Sequence, residues 1–456
     1  MKLIFGVKDK PRFGQMIVFA FQQLLAIMAA TIAVPAIVGN GMSASAALFG
    51  AGAGTLVDQL FTKFKSPVFL GSSFAFIGSM LAAFAGATSA SLGFLGIILG
   101  AVFAGLVYVV IALVVKFVGV GWINKLMPPA VIGPTVAIIG LSLSRNAVKD
   151  VFLQTSPNDN GAFEMTAALW ASLVCALVTM LTVIICSSYG KKMVKLIPFI
   201  IGIFAGYLVA LIFTLVGKAA GIESIQILNF APFKELVSNG VGLSTFLSFP
   251  DFTFLTAIKG VKDFEIGYLA NIAVAYVPVA FVVFAEHIAD HKNLSTIIES
   301  DLLEEPGLHR TLLGDGVGSM FGAFFGGCPN TTYGESVGCV AITRNASVAT
   351  ITTTAILALL ISFVSPFVAF LNSIPCCVMG GVCITLYGFI AVSGLKMIQK
   401  VNLEDNRNLF TVSVILITGI GSMAMVIGKV TLTAIAVALI LGIFVNTVVS
   451  KAKEGE

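Results

Sequence analysis

Five acidic residues, Asp58, Glu286, Asp290, Asp315 and Glu335, fall within long apolar stretches of this 456-residue chain. A charge held at the middle of a hydrocarbon layer costs at least about 2–3 kcal/mol, so an acid kept there is a functional candidate. In the run FVVFAEHIADHKN, Glu286 and Asp290 stand four residues apart and share one helical face. Two carboxylates that close repel one another when both are ionised. The pair can therefore hold a proton near neutral pH, as a proton-coupled carrier requires. The same spacing also allows Asp290 to sit hydrated at the cytoplasmic rim. His287 and His291 are likewise four apart, one step round the helix. The histidine and acid stripes diverge, so no shared metal site is expected. Asp58 and Asp315 lie nearer span ends or in short glycine-flanked spans, where a hydrated or hydrogen-bonded end residue is the expectation. His309, in EEPGLHR, reads as a loop residue.

Glu335 follows Tyr333-Gly334 at the point where PNTTYGESVG turns helical. A helix amino terminus there presents free N–H groups. Phe74 takes the equivalent position in a second interrupted segment, PVFLGSSFAFIGS. Two acids (Glu286 and Glu335), a phenyl ring and exposed N–H groups suit a small, flat, polar heterocycle with alternating N–H donors and carbonyl acceptors. The carboxylates accept from ring N–H groups, the backbone donates to carbonyls, and the phenyl face stacks.

The elements that must position these residues follow from composition. The chain is 58% hydrophobic and 11% charged, with a mean hydropathy of +1.03. A soluble domain carries about 25% charged residues. This excess excludes a water-soluble enzyme, a nucleic-acid binder and a disordered chain, and leaves an all-α polytopic membrane protein. About fourteen candidate spans are legible: 14–38, 44–62, 67–83, 92–118, 129–146, 165–187, 197–217, 268–290, 311–326, 334–345, 347–371, 374–396, 408–426 and 429–449. With both termini cytoplasmic, most of the 26 basic residues face inward, leaving Arg145, Lys149, Lys218, Lys234, Lys259, Lys262 and Lys429 outside. The first apolar stretch lacks a cleavage site and reads as a span, not a removed signal. The seven cysteines lie in or beside apolar runs without a CxxC pair, so free buried thiols are expected, with no disulfide framework and no zinc site.

Seven spans precede the polar segment 218–266 and seven follow it, which makes the halves inverted repeats. Their third members are the two interrupted segments. Paired, glycine-broken segments at matching positions point to a transporter's midplane binding site. The plainer alternative is that their small residues only allow close helix packing.

At these residues the chain resembles the nucleobase–ascorbate transporter family (nucleobase:cation symporter-2), and within it the bacterial uracil permeases. The likeness is carried by LGSSFAF (70–76), AEHIADH (285–291), DLLEEPGLHRTLLGDG (301–316), PNTTYGESVGCVAITR (329–344) and VMGGVCITLYG (378–388). It implies a 7+7 fold with short antiparallel strands in spans 3 and 10. A core domain would comprise 1–118 and 267–371. A gate domain would comprise 119–266, which includes the linker, and 372–456. The resemblance further implies uracil–proton symport with H+ as coupling ion and no other cofactor, a bacterial cytoplasmic membrane, and a homodimer. Carried over by position, the substrate residues are Phe74, Glu286, Tyr333, Gly334 and Glu335, with Tyr387 close by. Glu286, Asp290, His287 and His291 are the proton-coupling candidates. Three positions depart from the pattern: the usual Gln-His pair of span 1 reads Gln22-Gln23, the Asn after the span 10 acid is Ser336, and the second span 8 His is Asp290.

Xanthine or another purine, and an anion carrier of the same fold, remain alternatives, although two acids at the site repel an anion. No nucleophile–base pair, HExxH site or Asp-rich diphosphate motif is present, so neither catalysis nor a metal is expected.

Overall fold

The computed structural model describes residues 3–450, apart from 120, 159, 192, 239, 428 and 429. Five of its long helices begin where a hydroxyl can accept from the first free N–H groups. Ser43, Ser89, Thr166, Ser347 and Thr433 each cap a helix in this way. Pro129 and Pro198 open two others, where the missing N–H leaves no bond unmade.

The first half comprises α1 (Phe13–Val38), α2 (Ala44–Phe61), strand β1 (Leu70–Ser72) with the short helix α3 (Ile77–Ala85), α4 (Ala90–Val118), α5 (Pro129–Val151), α6 (Ala167–Tyr189) and α7 (Pro198–Ala220). The second repeats the order: α8 (Ile266–Ile298), α9 (Leu308–Gly326), strand β2 (Asn330–Thr332) with α10 (Gly334–Thr343), α11 (Val348–Ile361), α12 (Cys376–Ile398), α13 (Asn406–Ile420) and α14 (Ala434–Val449). Two sets of seven segments, each with a strand-plus-half-helix in third place, make the 7+7 architecture.

Several boundaries differ from the expected spans, among them the end of α5, which runs to Val151; three of the differences have a local cause. Helix α8 continues past 290 to Ile298, because Leu294 and Ile298 keep an apolar face that packs with Leu302 and Val337. The span 347–371 breaks after Ile361 and restarts as Ser365–Ser373, since Pro366 has no N–H to give the preceding turn and is accommodated only in the first turn of a new helix. The span 408–426 ends at Ile420. The chain then forms a hairpin, Met425–Ile427 against Val430–Leu432, which leads into α14.

Helices α1, α2, α4, α8, α9 and α11 pack as one group, and α5, α6, α7, α12, α13 and α14 as another. Within each, small residues bring axes together. A side chain added at Gly54 or Gly318 would collide with the facing backbone of α9 or α2. Between the groups, β1 and β2 pair antiparallel with Leu70 opposite Thr332, Gly71 opposite Thr331 and Ser72 opposite Asn330. Bonds from Ser73 to Pro329 and from Tyr333 to Phe69 extend the ladder at both ends. Backbone that leaves the helical state at membrane depth is thus satisfied by its partner.

Candidate functional site

The crossing strands open onto a cavity of about 410 Å³. Phe74, Glu286, Asp290, Tyr333, Gly334 and Glu335 all line it. Val136, Phe199, Phe389 and Met397 form the apolar part of the opposite wall, on which Ser187, Lys195 and Ser393 are the polar groups. Six of the residues expected at the site are therefore brought together.

The amino terminus of α10 builds the polar end. Tyr333 is its N-cap and Glu335 lies in its first turn, so free N–H groups and a carboxylate meet at one place. Tyr333 is held firmly. Its hydroxyl donates to the Ser72 carbonyl at 2.8 Å, and its ring lies on Gly71, where any side chain would overlap it. The phenol is therefore committed to the strand crossing, not free for a ligand. The strand register also corrects one equivalence. Phe74 stands two residues beyond Ser72, as Gly334 stands two beyond Thr332. Phe74 thus matches Gly334, not Glu335, and its helix begins only at Ile77. The Phe74 ring meets Tyr387 edge-on at 5.7 Å; Tyr387 supports that ring from behind and does not line the cavity.

Asp290 is not at a hydrated rim, because α8 runs two further turns beyond it. Its Oδ2 accepts from the Thr332 hydroxyl at 2.9 Å, tying α8 to β2. His287 and His291 point elsewhere. Both are buried, and neither lines the cavity. His287 Nδ1 lies 2.7 Å from Asp315 Oδ2, and its Nε2 lies 2.9 Å from Thr311 Oγ1. Thr311 donates to the Leu308 carbonyl, so it accepts from His287 Nε2–H. One proton then lies between Nδ1 and Oδ2, and the pair is neutral overall. The reverse arrangement would leave an uncompensated carboxylate among apolar side chains. His291 donates from Nδ1 to the His287 carbonyl (3.0 Å), which leaves Nε2 to accept from the Ser66 hydroxyl (3.3 Å).

Asp315 and Asp58 are each only 1% exposed, so neither is hydrated, and of the two alternatives Asp315 takes the hydrogen-bonded one, through His287. Two glycines explain how Asp58 lies so deep: the carboxyl rests on Gly314, where a side chain would overlap it, and Gly54 lets α2 approach α9.

Sequence reasoning missed one contact. The Gln23 amide donates to the Ser336 hydroxyl at 2.5 Å, and that hydroxyl also accepts from the Phe69 N–H at 3.0 Å. Two of the three positions where the chain departs from the family pattern therefore touch each other, across 313 residues of sequence. Their joint departure was the available signal.

Two inverted sets of seven segments, with paired strands and a half-helix facing a cavity at the strand crossing, define a secondary-transporter fold. The transmembrane domain of a cyanobacterial bicarbonate transporter, BicA, shares it with a TM-score of 0.64 and 15% identity, over 96% of this chain and 99% of that one. The murine anion transporter Slc26a9 does so with a TM-score of 0.60 and 12% identity, over 97% and 69%. Residues 14–428 match the model of the Permease family, Xan_ur_permease, and the chain belongs to that family. The uracil permease of Bacillus subtilis (strain 168) is 38% identical, over 99% of this chain and 97% of its own length. That of Escherichia coli (strain K12) is 33% identical, over 96% and 92%.

Proposed function

We propose that this protein imports uracil with a proton across a bacterial cytoplasmic membrane by alternating access, with both termini inside. The observation that carries the reading is the cavity at the strand crossing, in a chain 38% identical to a uracil permease over nearly its whole length. Uracil presents two N–H donors and two carbonyl acceptors in one plane. Glu335 and Glu286 accept from the N–H groups, the first N–H groups of α10 donate to a carbonyl, and the Phe74 face covers the ring. Two acids at one cavity wall disfavour an anion, which separates this reading from the transport named for the structural neighbours.

In this reading α1–α4 and α8–α11 form the core that holds the base. Helices α5–α7 and α12–α14 form the gate against which the core moves. The carboxylate pair Glu286 and Asp290 carries the coupling proton. His287 and His291, sealed behind the cavity, have a supporting role. A homodimer belongs to the same proposal, and its test is the mass of the detergent-purified protein.

The deciding experiment is accumulation of [³H]uracil in cells lacking their own permease. Uptake driven by a pH gradient and abolished by a protonophore is the expected outcome. Xanthine that competes as well as uracil would move the substrate to the purines. Uptake indifferent to the protonophore would remove the proton.

A further inference from the structure

Behind the α8 helix lies a second, much smaller void of about 10 Å³, with no role in the reading above. Four polar side chains line it: Tyr108 from α4, Asp315 and Ser319 one turn apart on α9, and Asn330 at the start of β2. All four are more than nine-tenths buried. Each carries one atom without a protein hydrogen-bond partner, namely the Tyr108 hydroxyl, Asp315 Oδ1, the Ser319 hydroxyl and Asn330 Oδ1. Four such atoms around one void are unusual, because buried polar groups are nearly always paired.

The hydrogen bonds already made fix what each free atom can do. Asn330 spends its amide N–H on the Gly50 carbonyl at 3.0 Å, and its side chain is wedged against Gly54 and Gly322, so Oδ1 can only accept. Asp315 Oδ2 shares a proton with His287, which leaves Oδ1 as an acceptor. The hydroxyls of Tyr108 and Ser319 each have a proton to give. The void therefore offers two acceptors and two donors.

We infer that this void binds a single water molecule, which donates to Asp315 Oδ1 and Asn330 Oδ1 and accepts from Tyr108 and Ser319. The size agrees: about 10–15 Å³ of this kind of volume holds one water, which needs two to four polar partners. A bare cation fits the chemistry less well. The Asp315 charge is already matched by the proton shared with His287, and a cation would leave both hydroxyl protons without an acceptor. The water makes one hydrogen-bonded chain from Thr311 through His287 and Asp315 to β2, whose Thr332 holds Asp290 at the cavity. Helix α9 and the substrate-side strand are thereby joined through solvent.

An experimental density map of the full-length protein at about 2 Å resolution tests this directly. The expected result is one peak about 2.6–3.2 Å from all four oxygens. It should persist in Ser319→Ala, which keeps three partners, and vanish in Ser319→Val, whose added methyl fills the space. Ser319→Val should also melt several degrees below Ser319→Ala, since two buried acceptors then lose their donor. Ordered side chains around an empty void would overturn the inference. So would a peak that gains the anomalous signal of Rb⁺ when Na⁺ is exchanged for it. The parent map decides even where Ser319→Val fails to fold.

Discussion

Two faces of α8 each carry a pair of titratable side chains at the same four-residue spacing, and they do different things. On one, Glu286 and Asp290 stand a turn apart and open onto the 410 Å³ cavity. On the other, His287 and His291 stand a turn apart and are sealed against α9, Thr311 and Ser66. The first face has a single protein hydrogen bond for its acids among those described, from Thr332 to Asp290. On the second, both nitrogens of each ring are occupied. Spacing places titratable groups on a face; whether they act on a ligand or hold the fold depends on what the neighbouring helix offers them. Fully satisfied polar groups stiffen a packed core, and half-satisfied ones beside a cavity are available to a guest.

Breaking the sealed face should have the largest effect. In His287→Leu, Asp315 keeps its burial and loses its proton-sharing partner. An orphaned member of a buried pair costs about 3–5 kcal/mol, enough for a large fall in melting temperature in detergent. The double variant His287→Leu/Asp315→Leu should regain much of it. A single variant that melts with the parent would mean the pair does not hold the fold.

On the cavity face the effects should appear in binding and coupling, with melting temperature little changed. Glu335→Gln keeps the shape but sets an N–H₂ against a substrate N–H. That mismatch should weaken uracil binding by about 1–3 kcal/mol, roughly 5- to 150-fold, as calorimetry would read. Unchanged affinity would show that Glu335 does not touch the base.

Phe74 sharpens the comparison further, being on the cavity wall yet neutral. Phe74→Ala should weaken binding by about 0.5–1.5 kcal/mol, roughly 2- to 13-fold, with Phe74→Tyr closer to the parent. Equal transport by the Ala variant would make Phe74 a packing residue for Tyr387 alone.

The smallest expected change in affinity belongs to Asp290→Asn, because an amide oxygen can still accept from Thr332. Its effect should fall on coupling. Exchange of labelled for unlabelled uracil persists, whereas accumulation against a gradient fails. A variant that still concentrates uracil under an imposed pH gradient would move the proton to Glu286 alone or to the histidines.

Much of this arrangement was legible in the sequence. The helices follow from uninterrupted apolar runs, and the two broken segments from paired Gly, Ser and Thr clusters at matching places. Glu286 and Glu335 stood out because acids in such runs are expensive. What escaped was everything decided by a distant partner. Asp315 reads as an end residue until His287 is seen beside it. Local pattern places Phe74 one residue off its true equivalent, because only the ladder, with Leu70 opposite Thr332, fixes the register. The hairpin after Ile420 and the Gln23–Ser336 bond depend on contacts that no local pattern encodes. The sequence also allows Asp290 at a rim because the apolar face of α8 beyond it is carried by just two residues, Leu294 and Ile298.

The three-residue pairing of β1 with β2 also sets an order of events during biosynthesis. Leu70 emerges from the ribosome some 260 residues before its partner Thr332. At about 5–20 residues per second, the first strand waits on the order of tens of seconds with its backbone groups unpaired at membrane depth. Substrate-side geometry therefore forms only after nine segments have been made, with the helices α11–α14 still to follow. A nascent chain that stalls before residue 330 exposes this unpaired edge.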